Sequence, residues 1–150
     1  VDSLVQALKF RGETALARYF AERMAACLDN VPRPDLLCPM PLHPSRLRER
    51  GYNQAALLAR RLSAFTGIPV AASLCRRTRD TPAQSSLPLA ARRRNVRRAF
   101  ACAPVPAGTH VALIDDVMTT GASLDALART LLDAGAAEVS AWVLARTLPR

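Results

Sequence analysis

The chain has almost no lysine: Lys9 is the only one, although Lys and Arg together number 21 in 150 residues. Aromatic residues are also scarce at 5%, with a single Trp. Proteins that stack nucleobases along a strand need aromatic platforms, and this composition supplies few. No apolar run approaches the ~18 residues of a membrane-spanning helix. A secretory signal pattern is missing too, because Gln6 and Lys9 break the apolar stretch near the start. Cysteine is limited to Cys27, Cys38, Cys75 and Cys102, spaced 11, 37 and 27 residues apart. None forms a C-x-x-C pair, which argues against zinc. Their apolar settings predict buried free thiols in a reducing, cytoplasmic compartment. There are no internal repeats.

What is present is arginine. The net charge is +9. Residues 76–98 carry Arg76, Arg77, Arg79, Arg92, Arg93, Arg94, Arg97 and Arg98 against Asp80 alone. A charge run is most simply a solvated face, and a high-GC genome alone would favour Arg over Lys. The functional alternative is a surface for pyrophosphate or nucleic acid, since Arg makes bidentate phosphate contacts.

With half of its residues hydrophobic, a chain of this length can bury a core. We expect one domain over residues 1–150, with a helical segment at 1–30 packed on it. Apolar spacing predicts a helix over 2–29 and a linker at 31–35. A strand at 36–40 follows, and then a basic loop at 42–51. An amphipathic helix should span 53–66, with Ala56, Leu57, Ala59, Leu62 and Phe65 on or near its inner face and Gly67 as its stop. A second strand is expected at 68–75 and a long mobile loop at 76–98; such loops are usually functional. A strand at 111–114, a helix at 122–134 ended by Gly135, and a strand at 139–144 complete the pattern. His110 should face solvent and Trp142 should be buried. Strands alternating with helices predict an α/β fold with a parallel sheet flanked by helices.

The densest signal is the stretch from Val111 to Ser123. Four apolar residues run into Asp115 and Asp116, and Val117, Met118, Thr119, Thr120, Gly121, Ala122 and Ser123 follow. The apolar run suits a strand buried on both faces. The acids should emerge at its carboxyl edge, where open α/β sheets bind ligands. The small hydroxylated turn can aim backbone N–H groups at an anion, and Gly121 allows close approach at the start of a helix. Carboxylates beside a phosphate cradle suit a ligand with both hydroxyls and a phosphate. A bland alternative exists: a strand, a solvated acidic turn and a capped helix.

This order of residues resembles the signature of type I phosphoribosyltransferases, which bind phosphoribosyl pyrophosphate. Other segments extend the likeness: Leu8-Lys9-Phe10, Arg50-Gly51-Tyr52-Asn53-Gln54, Arg79 with Gln84, and Arg94-Asn95 with Phe100. Together they resemble the ComF family of competence-associated, phosphoribosyltransferase-like proteins, over nearly the whole chain. The four-cysteine zinc module of many relatives is not in this sequence. The resemblance implies a type I phosphoribosyltransferase fold and Mg²⁺ as cofactor, bound by Asp115 and Asp116 directly or through water. It implies that the same two acids hold the ribose hydroxyls as the catalytic pair. Thr119, Thr120, Gly121, Ala122 and Ser123 would then cradle the 5-phosphate. Leu42, His43, Pro44, Ser45 and Arg46 would take the place of the pyrophosphate loop. Arg79, Gln84, Arg94 and Asn95 would belong to a flexible lid.

Purine-salvage relatives of the hypoxanthine type carry an Asp where this chain has Thr119, and a threonine is a poor general base. His43 could act as a general acid or only as a hydrogen-bonding loop residue. Two functions stay open. One is phosphoribosyl transfer from phosphoribosyl pyrophosphate to an acceptor. The other is a non-catalytic protein of DNA uptake that binds single-stranded DNA, works with a competence helicase-like ATPase, and uses the pocket as a ligand sensor.

Overall fold

The computed structural model describes residues 14–80 and 99–146. The order of elements is α1 (Thr14–Ala25), β1 (Leu36–Pro39), α2 (Pro44–Arg50), α3 (Gln54–Thr66), β2 (Cys75–Arg77), β3 (Phe100–Cys102), β4 (His110–Met118), α4 (Ala122–Asp133) and β5 (Glu138–Arg146). Strands β1, β4 and β5 form a parallel sheet with β4 in the centre, and β2 and β3 form a separate antiparallel pair.

The pleat of β4 organises both cores, because alternate residues point to opposite faces. Val111 and Leu113 meet Cys38, Met40, Phe100, Leu124, Leu127 and Leu131. That face carries α4 and the β2–β3 hairpin. Ala112 and Ile114 meet Phe20, Leu37, Leu58, Leu62, Ile68 and Trp142, on the face of α1 and α3. A parallel strand covered on both sides must be apolar throughout, and Val111, Ala112, Leu113 and Ile114 are all fully buried.

Several local expectations need correction. The basic loop at 42–51 contains α2. His43 caps it, Pro44 occupies its first turn, and Gly51 closes it at φ 78° with its N–H on the Leu47 carbonyl. The charge of this stretch hid those start and stop residues. The inner face of α3 is Gln54, Ala55, Leu58, Ala59 and Leu62, whereas Phe65 is exposed. The stripe is rotated because the polar Gln54 belongs to it. The strand expected at 68–75 reduces to a single bridge from Val70 to Leu37. Pro69 offers no N–H to a ladder, and the chain turns at Ala71–Leu74 before β2 begins.

The cysteine reading also changes. Cys75 and Cys102 are directly opposed across the β2–β3 pair and form a disulfide, with Cα atoms 4.1 Å apart. Antiparallel partners lie close enough for that bond. Cys27 is exposed, and only Cys38 is a buried free thiol. Its burial pushes the thiol up to about 12. His110 lies within β4 rather than before it, with Nε2 2.9 Å from Ser140 Oγ. The parallel register brings β5 alongside it, and Trp142 is buried as expected. Residues 1–13 and 81–98 lie outside the described residues; these include part of the expected N-terminal helix and most of the expected loop. Within α1, Ala17, Phe20 and Ala21 pack into the core beside α3.

Candidate functional site

Strand β4 runs through the acidic pair to Met118, so Asp115 and Asp116 still obey the pleat and part to opposite sides. Asp116 is 4% exposed, so it does not form the solvated acidic turn of the bland alternative. Its Oδ1 accepts from the Val117 amide at 2.8 Å and its Oδ2 from Gln54 Nε2 at 3.4 Å. Asp115 is half-buried, and its Oδ1 accepts from the Asp116 amide at 2.9 Å. It borders a concavity completed by Val117, Met118, Thr119, Thr120, Gly121, Ala122, Ser123 and Leu124.

The turn of that concavity is built locally. Gly121 caps α4 at φ 76°, a conformation L-residues avoid. Gly121 has no side chain with which to cap the helix, and the first-turn amides have no intrahelical acceptors. The Thr120 hydroxyl accepts from the Ala122 amide at 3.4 Å. A ring of amides, hydroxyls and a helix N-terminus is suited to a doubly charged anion.

The second predicted anion loop is built from distant parts. His43 Nδ1 lies 2.8 Å from Ser45 Oγ and accepts from the Ser45 amide at 3.3 Å. Ser45 Oγ donates to Asp80 Oδ2 at 2.6 Å, across 35 residues of sequence. The Ser45 bond first, and then the charges of His43, Arg46 and Arg77, hold the Asp80 carboxyl below the ordinary range, although desolvation opposes them. Asn53 secures the next turn. Its Oδ1 accepts from the Ala55 and Ala56 amides, and its Nδ2 donates to the Met40 carbonyl at 3.0 Å.

Arg77 is the residue that sequence reasoning missed. Its guanidinium lies 5.5 Å from the Phe100 ring centre. Burial and then the neighbouring Arg46 charge lower its pKa, while Asp80 and Asp115 act the other way. It therefore stands electrostatically between the two loops. The available signal was alternation: Cys75 faces inward and Arg76 outward, so Arg77 turns inward again. It was lost in a run of arginines. Arg79 is exposed, and Gln84, Arg94 and Asn95 lie outside the described residues.

Residues 47–148 match the family described as Phosphoribosyl transferase domain. Competence protein F of Haemophilus influenzae is 36% identical over 95% of this chain and 66% of its own length. The DNA utilization protein YhgH of Escherichia coli K12 is 33% identical over 99% of this chain and 68% of its own. The chain belongs to the ComF family. It spans about two thirds of the length of these relatives.

Solved structures carry the fold further afield. A purine phosphoribosyltransferase from Pyrococcus horikoshii has a TM-score of 0.53 at 16% identity, with 86% of this chain and 81% of that one covered. A glutamine phosphoribosylpyrophosphate amidotransferase from Bacillus subtilis reaches 0.56 at 22% identity, with 85% and 26% covered. The ComF chain therefore has the type I phosphoribosyltransferase fold.

Mg²⁺ is the cofactor that such a fold implies. Among the described residues no three His, Cys, Asp or Glu side chains gather to hold a metal. Those residues thus build no protein cage. Mg²⁺ usually keeps several waters and arrives with substrate phosphates, contacting one or two carboxylates. Asp115, at the edge of the concavity, fits that lesser role. Among the described residues no helix is long and apolar enough to cross a membrane.

Proposed function

We propose that this ComF-family chain binds phosphoribosyl pyrophosphate with Mg²⁺ and transfers the phosphoribosyl group to an acceptor. One observation carries the reading. The Thr119–Ser123 turn, with Gly121 at φ 76°, shares one concavity with Asp115. The turn takes the 5-phosphate, and Asp115 takes a ribose hydroxyl. Asp116 supports the ribose side from the other face of β4, held by Gln54. Leu42, His43, Pro44, Ser45 and Arg46 receive the pyrophosphate, joined by Arg77. Mg²⁺ supplies charge neutralisation on the pyrophosphate oxygens when bound. The chain itself contributes positioning and fixed charge, which together lower the barrier to breaking the bond at ribose C1. His43 hydrogen-bonds within this loop, where its Nδ1 accepts from the Ser45 amide.

Titration calorimetry tests the reading with phosphoribosyl pyrophosphate, ribose 5-phosphate and pyrophosphate, each with and without Mg²⁺. The full ligand should bind tightest and need Mg²⁺. A pyrophosphate-release screen over bases and amines then tests turnover. Absence of binding by all three ligands would refute the reading.

A DNA role is supported by the names of the relatives, which speak of competence and DNA utilization. In that reading the family fold serves DNA uptake in the cytoplasm, with single-stranded DNA and a helicase-like ATPase as partners. Oligothymidylate binding that falls steeply with salt, through counterion release, would favour it.

A further inference from the structure

The groups that should hold pyrophosphate already hold an anion of the chain itself. The Ser45 hydroxyl has one proton, and it points at Asp80 Oδ2 from 2.6 Å. His43 Nδ1 is 3.7 Å from the same oxygen. The charges of Arg46 and Arg77 act on that carboxylate as well. The Ser45 hydroxyl thus joins two separate segments through this carboxylate, and the arginine charges act on it in the same direction. Asp80 itself is 48% exposed, so it can rotate into water at little cost.

We propose that Asp80 is a self-inhibitory latch on this loop: its carboxylate takes the place of a ligand oxygen at Ser45 and must be displaced before an anion binds there. The proposal rests on the reading of residues 42–46 as the pyrophosphate loop. A ligand oxygen reaches Ser45 only after this carboxylate has left, so the affinity of the loop for an anion is lowered by the fraction of time that Asp80 occupies it.

Inorganic pyrophosphate is the probe, in calorimetry at low salt on the wild-type chain and on Asp80→Asn. Asparagine keeps the shape and can still accept from Ser45, so the change isolates charge. We expect the variant to bind pyrophosphate about threefold tighter, the size usual for exposed charge pairs. The gain should shrink at high salt. Asp133→Asn, at the far end of α4, changes net charge equally and should leave affinity unchanged. Because the expected effect is a gain, misfolding cannot imitate it. Pyrophosphate binding in the wild type with no gain in Asp80→Asn, or an equal gain in Asp133→Asn, would overturn the proposal and leave the loop assignment standing. No pyrophosphate binding by any of the three would overturn both.

Discussion

The two anion loops of this chain are built in opposite ways. The turn after β4 is self-contained. Its hydroxyls, its glycine and its helix are consecutive from Thr119 to Ser123, and Asp115 precedes them by four residues. The loop after β1 is assembled. Ser45 finds its partner in Asp80, 35 residues away, and the charge of Arg77, in a hairpin closed by Cys75 and Cys102, acts on that carboxylate. A local loop keeps its geometry through backbone conformation. An assembled loop keeps it only while distant elements stay packed. Damage to the first should therefore act through φ and ψ, and damage to the second through tertiary contacts.

The largest effect should come from the acids beside the local turn. Replacing both Asp115 and Asp116 by Asn should weaken binding of phosphoribosyl pyrophosphate by ~2–4 kcal/mol, since charge-assisted hydrogen bonds contribute ~1.5–3 each. The single variants should differ. Asp116 accepts from both the Val117 amide and Gln54, whereas Asn has one acceptor oxygen. Asp116→Asn therefore sets a donor against a donor and should also cost ~1–3 kcal/mol of stability in urea. Asp115→Asn should lose affinity with little loss of stability. Equal stability losses would deny that the pleat separates the pair.

Gly121→Ala comes next, at ~1–3 kcal/mol of backbone strain. An added Cβ would meet nothing closer than Met118 Sδ at 3.7 Å, so the penalty is conformational rather than steric. Ala should then be nearly as harmful as Val for ribose 5-phosphate affinity, and Asn, which tolerates this region, should be milder. Pyrophosphate affinity should not move. A large gap between Ala and Val would make close approach the cause instead.

Arg77→Leu should do the reverse. Pyrophosphate affinity should fall by about 1 kcal/mol, as one partly exposed charged contact is lost. Ribose 5-phosphate affinity should hold. Loss of both to the same degree would mean that the loops are not independent.

The smallest effect is alkaline and touches neither loop directly. The Cys38 thiol is pushed up to about 12 by burial, whereas an unfolded thiol titrates near ~8.5. The unfolded chain therefore loses this proton first as pH rises. Stability is intact below pH ~8.5 and declines from there toward 12, by about 1 kcal/mol at pH 9. Urea midpoints at pH 7 and pH 9 measure the drop, and Cys38→Ala should flatten it. In native protein an alkylating probe should reach Cys27 and spare Cys38, because only Cys27 is exposed.

Whatever depends on neighbours along the chain could be read from the residues alone. The buried run of β4, the acids after it, the Gly121 turn and the Gly67 stop of α3 were all legible, because backbone propensity and hydrophobic period are local. Family membership was legible for the same reason, since its motifs are contiguous. Tertiary structure alone decided the rest. The pleat sent Asp116 into the face of α3 and Asp115 to the concavity of the Thr119–Ser123 turn, a division that two adjacent carboxylates do not announce. The opposition of β2 and β3 paired Cys75 with Cys102, which spacing could not do. Folding also brought Asp80 to Ser45. A pairing of that kind depends on which surfaces the two cores bring together, and no local pattern in residues 42–51 or 76–80 encodes the partner.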